Sequence, residues 1–239
     1  MSITNKVYII AELCGQWGGS VERAEQMILQ SKMAGANAVK VQLWDTYRML
    51  GDNRELWEYL SMTKEQFLRL KEFADRLNID FFASAFHQDR LGWLLEAGIK
   101  TNKIASSLFR IDFDLAKEMV EEYDFEKTFV SLGRWEKEEF PFGEKEGLTY
   151  MHCVSKYPHE RNEAFKLMPE KFEGSLLGYS DHSIGIDACV EAAKRGAIYI
   201  EKHFTIDQSL QCSTESAHVC SMDFKELSQL RTKCDKLWR

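Results

Sequence analysis

No apolar run in this 239-residue chain approaches the roughly 20 residues that a membrane-spanning helix needs, so no membrane association is expected. The first residues, Met1 to Lys6, lack a basic stretch followed by a long apolar core, so no secretory signal is expected either. Lysine and arginine are nowhere gathered into a basic run, and the formal net charge is -7, which argues against nucleic acid as the main partner. Cys14, Cys153, Cys189, Cys212, Cys220 and Cys234 form no C-x-x-C pair, and several sit inside apolar patterns, where a free thiol behaves as a small hydrophobe. A reducing cytoplasm is the expected setting. No G-x-G-x-x-G follows the first predicted strand, which argues against the open doubly wound sheet of dinucleotide-binding proteins. There is also no linker to mark a second domain.

The chain does contain 44% hydrophobic residues, enough for a sizeable core, arranged as strands and helices in alternation. The apolar run Val7–Ala11 predicts a first strand, ending in Glu12. Ser20 is placed to cap a helix over Val21–Met33, and Gly35 to close it. Strands are predicted at 38–43, 79–85, 101–106, 127–131, 148–153, 175–179 and 197–200. Between them lie helical patterns opening at Thr63, 88–97, 113–123, 162–167 and 185–196, with a last helix after Ser221–Phe224. Residues 45–62, rich in Trp, Tyr, Leu and Met, suit an excursion over a barrel mouth, and 134–147, charged and glycine-interrupted, make a poor helix. Eight strands, mostly followed by helices, in about 240 residues predict a single (β/α)₈ TIM barrel over 1–239.

In such a barrel the active site lies at the C-terminal ends of the strands. Those ends deliver Glu12, Lys40 with Gln42, Ser84, Lys103 with Ser106, Ser131, His152 with Ser155, Asp181 with His182, and Lys202 with His203. Taken singly, each has a plain structural explanation: a strand lysine pairs with a carboxylate, a strand-end serine caps the next helix, and His152 fits a core position. Together they point to chemistry. Three lysines and several hydroxyls converging on one mouth suit a phosphate or carboxylate. Two imidazoles with carboxylates nearby suit a divalent metal acting as a Lewis acid on a carbonyl. Glu12 is the candidate acid or base.

Six segments, Ile9-Ile10-Ala11-Glu12, Ala38-Val39-Lys40-Val41-Gln42, Lys103-Ile104-Ala105-Ser106, His152 to Pro158, Gly178-Tyr179-Ser180-Asp181-His182 and Glu201-Lys202-His203-Phe204-Thr205, resemble the sialic acid synthase (N-acetylneuraminate synthase) family in order and spacing. The resemblance implies a barrel that condenses phosphoenolpyruvate with an amino sugar or related aldose, giving a 2-keto-3-deoxy sugar acid and phosphate. It implies a divalent metal, usually Mn²⁺ with Mg²⁺ or Co²⁺ as substitutes, on His182 and His203. Lys40, Ser84, Lys103, Ser106, Ser131 and Ser180 would hold phosphoenolpyruvate, and Glu12 and Tyr157 would face the sugar. Gln42, Ser155, Asp181 and Lys202 complete the expected substrate-binding set.

The sequence departs from that family in few places. Gln16-Trp17-Gly18-Gly19 replaces Asn-His-Asn-Gly, Leu108 replaces a sugar-binding glutamate, and Arg134 replaces a methionine. The segment 211–218 lacks the usual aspartate, with Glu215 as its stand-in. The family's C-terminal antifreeze-like domain, which covers a partner's barrel, has no counterpart. The expectation is therefore an intact enol-pyruvate and metal half, a rewritten sugar half, and a homodimer or a separate capping chain. The rivals are a pyruvate aldolase or lyase with a Schiff base on Lys103 or Lys40, and a non-catalytic sugar-binding or regulatory barrel.

Overall fold

Eight parallel strands close on themselves in sequence order in a computed structural model that describes residues 7–44, 58–210 and 217–237. They are β1 (Tyr8–Glu12), β2 (Ala38–Leu43), β3 (Asp80–Ala85), β4 (Thr101–Ile104), β5 (Lys127–Ser131), β6 (Leu148–Cys153), β7 (Leu176–Asp181) and β8 (Tyr199–His203). The ring is sealed by β8 against β1, where Tyr8 pairs with Tyr199 and Glu12 with His203. Around it run α1 (Val21–Met33), α2 (Lys64–Arg76), α3 (Gln88–Glu96), α4 (Leu108–Ile111), α5 (Phe113–Glu121), α6 (Arg161–Leu167), α7 (Asp187–Lys194), α8 (Ala217–Cys220) and α9 (Phe224–Leu237). The predicted TIM barrel is the observed fold. No described helix is long and apolar enough to cross a membrane.

The helices begin where local chemistry tells them to. The Ser20 hydroxyl accepts from the Arg23 N–H at 3.2 Å and starts α1. Thr63 and Gln66 exchange side-chain and backbone bonds at the head of α2, a complete capping box. Inward faces then bury Ala24, Met27 and Ile28 of α1 and Phe67, Leu70 and Ala74 of α2 against the strands. At the far end α9 ties the barrel seam, its Arg231 guanidinium donating to the Val7 carbonyl at 2.7 Å. As expected, 134–147 contains no helix. Phe140 stacks on Tyr150 with ring centroids 4.1 Å apart, and the Tyr150 hydroxyl donates to the Gly143 carbonyl at 2.7 Å, so one tyrosine of β6 holds that connection.

Three boundaries differ from expectation, and two of them matter. Strands β7 and β8 run on through the polar clusters instead of ending before them, because Ser180 still pairs with Glu201 and Asp181 with Lys202. The polar residues are thus strand residues, and alternation assigns each to one face. The third difference is the short α4 before α5. Most of the aromatic excursion, residues 45–57, and the segment 211–216 with Cys212 and Glu215 lie outside the described residues.

With a period of two, Tyr8, Ile10 and Glu12 share the inward face of β1, and Tyr199, Glu201 and His203 that of β8. The N-terminal floor is closed by rings: Phe129 meets Tyr199 at 4.9 Å and Phe82 at 5.9 Å, and the Lys127 ammonium donates to the Tyr199 hydroxyl at 2.8 Å. Aromatic filling below sets the Lys40, Lys103, Glu12 and Glu201 cluster at the opposite mouth. Gly178 makes that filling fit, since a Cβ there would lie 2.5 Å from Met151 Cγ. Gly178→Ala is expected to cost about 1–3 kcal/mol by overpacking. Urea unfolding should show the loss, and Met151→Ala in the same chain should return part of it.

Candidate active site

Two ammonium groups and two carboxylates share the centre of the barrel mouth, each almost sealed from solvent: Glu12 is 2% exposed, Lys40 1%, Lys103 2% and Glu201 5%. Lys40 is in contact with the Glu12 carboxylate and lies 3.7 Å from Glu201 Oε2. Lys103 Nζ lies 3.5 Å from Glu201 Oε1 and donates to the Ser131 hydroxyl at 2.6 Å. Ser180 donates to Glu201 Oε1 at 3.0 Å, and Lys40 to Ser84 at 3.3 Å. Around Glu12, the Cys14 N–H donates at 2.7 Å and the Gln42 amide at 3.4 Å, while Trp44 Nε1 donates to the Gln42 carbonyl oxygen at 2.9 Å. Every charge is held by residues from neighbouring strands, which is what makes burial of four of them tolerable.

The four groups are not electrically equivalent. Burial pushes the Lys103 ammonium below its usual range, with Glu201 pulling the other way. For Lys40, burial is outweighed by Glu12 and Glu201, and its pKa is raised. Burial raises the Glu12 carboxyl, with Lys40 opposing and Glu201 adding to the rise. Burial would raise Glu201 too, but Lys103, Lys40 and the Ser180 hydroxyl hold it below the usual range. Glu201 is therefore the fixed anion of the cluster, and Glu12 the carboxyl best placed to carry a proton.

On the adjoining wall, His182 and His203 stand with ring centroids 5.5 Å apart, both nearly buried. His182 Nδ1–H donates to the Val154 carbonyl at 2.8 Å, which leaves the Nε2 lone pair free toward the mouth. Burial lowers the His182 pKa to about 4, so the ring is neutral, the state that binds a metal. His203 Nδ1 lies 3.4 Å from the Gln16 carboxamide oxygen. Among the described residues no set of three or more His, Cys, Asp or Glu side chains converges in a way that could hold a metal. Two buried imidazoles suit a metal whose other positions belong to water and substrate, with fewer protein ligands than the three usual in catalytic sites.

These side chains line a cavity of about 300 Å³ together with Ser106, Ser155, Tyr157 and Cys153. The Ser106 and Ser155 hydroxyls lie 3.0 Å apart, and the Tyr157 ring lies 3.9 Å from that of His182. Ser84 is buried just below, reaching the cavity only through Lys40.

Asp181 and Lys202 are placed elsewhere. They pair with each other at 2.6 Å, both side chains wholly buried, and do not line the cavity. Asp181 also accepts from Tyr179 Oη at 2.8 Å and from Ser183 Oγ at 3.0 Å, while Lys202 donates to the Ser183 carbonyl at 2.6 Å. Alternation along β7 and β8 turns them outward when Ser180, His182, Glu201 and His203 face in. They form a knot behind the metal wall, in a place where substrate has no access. His152 likewise is absent from the cavity lining and stacks on Tyr179 at 6.0 Å.

Glu201 was missing from the expected set, although its place two residues before His203 on a strand was the available signal. The departures from the family pattern also sort themselves. Trp17 and Leu108 are packed in the core, whereas Arg134 lines the cavity rim.

The model of the NeuB family matches residues 27–239. The N-acetylneuraminate-9-phosphate synthase of Drosophila melanogaster is 31% identical over 256 residues, covering 96% of this chain and 68% of that protein. A pseudaminic acid synthase of Campylobacter jejuni is 31% identical over 253 residues, covering 94% of this chain and 72% of that protein. The crystal structure of the N-acetylneuraminic acid (sialic acid) synthetase from Leptospira borgpetersenii, solved with citrate, superposes with a TM-score of 0.82 at 32% identity, over 97% of this chain and 83% of that one.

Because the Asp181–Lys202 pair is dry, removing one partner strands the other charge. Asp181→Ala should destabilise by about 3–5 kcal/mol. The double variant D181A/K202M should recover much of that loss in chemical denaturation, an outcome that a surface pair would not give.

Proposed function

This chain belongs to the NeuB family, and on that premise we propose that it joins phosphoenolpyruvate to an amino sugar or related aldose, releasing phosphate and forming a 2-keto-3-deoxy sugar acid. The observation that carries the reading is the dry cluster of Lys40, Lys103, Glu12 and Glu201 beside two buried imidazoles. The cluster offers two ammonium groups and several hydroxyls to a phosphate and a carboxylate.

In the proposed reaction Lys40 and Lys103, with Ser106, Ser131 and Ser180, hold the donor's anionic groups and fix the enol. A divalent metal on His182 and His203, Mn²⁺ in the proposal and replaceable by Mg²⁺ or Co²⁺, supplies Lewis-acid polarisation of the acceptor's carbonyl when bound. The enol C3 forms a bond to the aldehyde carbon, and the aldehyde oxygen takes a proton. Glu12, whose carboxyl burial holds above its usual range, is the group suited to give that proton. Water then adds at C2, and the tetrahedral centre collapses with cleavage of the C2–O bond, so phosphate leaves carrying its bridging oxygen. Tyr157 and Gln42 orient the acceptor side. The barrel acts as one domain, and its open rim suits closure by a second chain, a copy of this one or a separate cap.

The aldolase alternative rests on Lys103 alone: Lys40 is tied to two carboxylates and held protonated, whereas burial lowers Lys103, which donates to Ser131 and faces Glu201. Phosphate release from phosphoenolpyruvate with amino-sugar acceptors and Mn²⁺ is the test. Lys103→Met should lower kcat/KM about 100-fold or more with the fold intact, since one charged contact in a dry site is worth about 2–5 kcal/mol. His182→Ala should abolish turnover. Borohydride trapping of pyruvate on the chain, with no phosphate released, would replace this reading with the Schiff-base one.

A further inference from the structure

Arg134 sits three residues past the end of β5, exposed at the rim of the cavity that Lys103, Ser106, Ser131 and Ser155 line below it. It makes no hydrogen bond and no ion pair with any described residue. Other rim and surface arginines are spoken for: Arg110 lies 3.4 Å from Glu136, Arg161 3.0 Å from Asp187, and Arg69 2.8 Å from Glu25. The backbone that presents Arg134 is well anchored. On one side the Leu132 N–H donates to the Met151 carbonyl at 3.0 Å. On the other, the Trp135 N–H donates to the Leu132 carbonyl at 2.9 Å, Trp135 Nε1 donates to the Glu139 carbonyl at 2.7 Å, and the Trp135 ring stacks on Phe113. A cation with no partner among the described residues is thus held over a cavity whose deep lysines and glutamates pair with one another.

We propose that Arg134 is a specificity-determining residue that binds an anionic group, a phosphate or a carboxylate, at the end of the acceptor remote from its aldehyde. The inference rests on the condensing reaction proposed above. In that reaction the aldehyde carbon lies by His182 and His203, on β7 and β8, and the donor lies deep on Lys40 and Lys103. In the closed ring of eight strands, β5 stands two places from β7 and three from β8, with β6 between. An acceptor chain running from the imidazole wall along the β6 side of the mouth therefore comes toward Arg134. Guanidinium is suited to that place, because its planar donors meet phosphate and carboxylate oxygens two at a time. An uncharged acceptor would leave this cation facing only water.

The test compares an N-acetylhexosamine with its 6-phosphate by calorimetric titration into the protein loaded with phosphoenolpyruvate and Mn²⁺, for the wild type and for Arg134→Met. The 6-phosphate should bind wild type at least tenfold more tightly than the neutral sugar. Arg134→Met should erase that preference, Arg134→Lys should restore part of it, and phosphoenolpyruvate affinity should change less than twofold throughout. Equal affinity of the two sugars for wild type, or an unchanged preference in Arg134→Met, overturns the proposal. A loss of phosphoenolpyruvate affinity in Arg134→Met also overturns it, by assigning the guanidinium to the donor. Failure of phosphoenolpyruvate to bind the wild type at all would overturn the condensing reaction itself, which separates the two failures.

Discussion

The structure is organised around the cost of burying charge. Four ionisable groups, Glu12, Lys40, Lys103 and Glu201, occupy the mouth of the barrel with almost no solvent contact, and each is tolerable only because the others are there. Satisfying them takes residues from seven strands: β1, β2, β3, β4, β5, β7 and β8 all contribute a member of the cluster or a hydrogen-bond partner to it. A ring closed by hydrogen bonds between consecutive strands is the fold that brings so many neighbours to one point. The aromatic floor completes the logic, because Phe82, Phe129 and Tyr199 fill the N-terminal half beneath the cluster.

A second charged pair is spent differently. Asp181 and Lys202 lie one residue from His182 and His203, but the strand turns them to the other side of the sheet. There they join Tyr179 and Ser183 in a closed knot. That knot lies behind the imidazole wall, on the opposite face of β7 and β8. The same two motifs therefore do two jobs, one facing substrate and one facing the helix layer.

Most of this was legible in the sequence, for reasons that differ by residue. Helix α1 could be placed because Ser20, the apolar stripe and Gly35 agree with each other, and Lys40, Lys103 and Glu12 stood out as charges in otherwise apolar strands. The lapse came at β7 and β8, whose predicted ends at Tyr179 and Ile200 cut the strands short of their polar residues. Once those residues are treated as loop, alternation no longer applies, so Lys202 and Asp181 were given substrate roles and Glu201 was passed over. Where each side chain points depended on the ladder between β7 and β8, a pairing that no local pattern encodes. Arg134 was visible only as a departure from a family pattern. Its meaning came from the cavity beneath it and from the absence of any described partner.

The central claim is that a balanced, dry cluster and two buried imidazoles form one site for a strongly anionic donor and a divalent cation. A balanced cluster has little net charge to offer a trianion alone, so donor and cation should assist each other. Calorimetric titration of phosphoenolpyruvate with and without Mn²⁺ measures that coupling directly. The account predicts that Mn²⁺ tightens phosphoenolpyruvate by about tenfold or more, and that phosphoenolpyruvate tightens Mn²⁺ by the same factor, as linkage requires. Two independent affinities, or no binding of either, would contradict it.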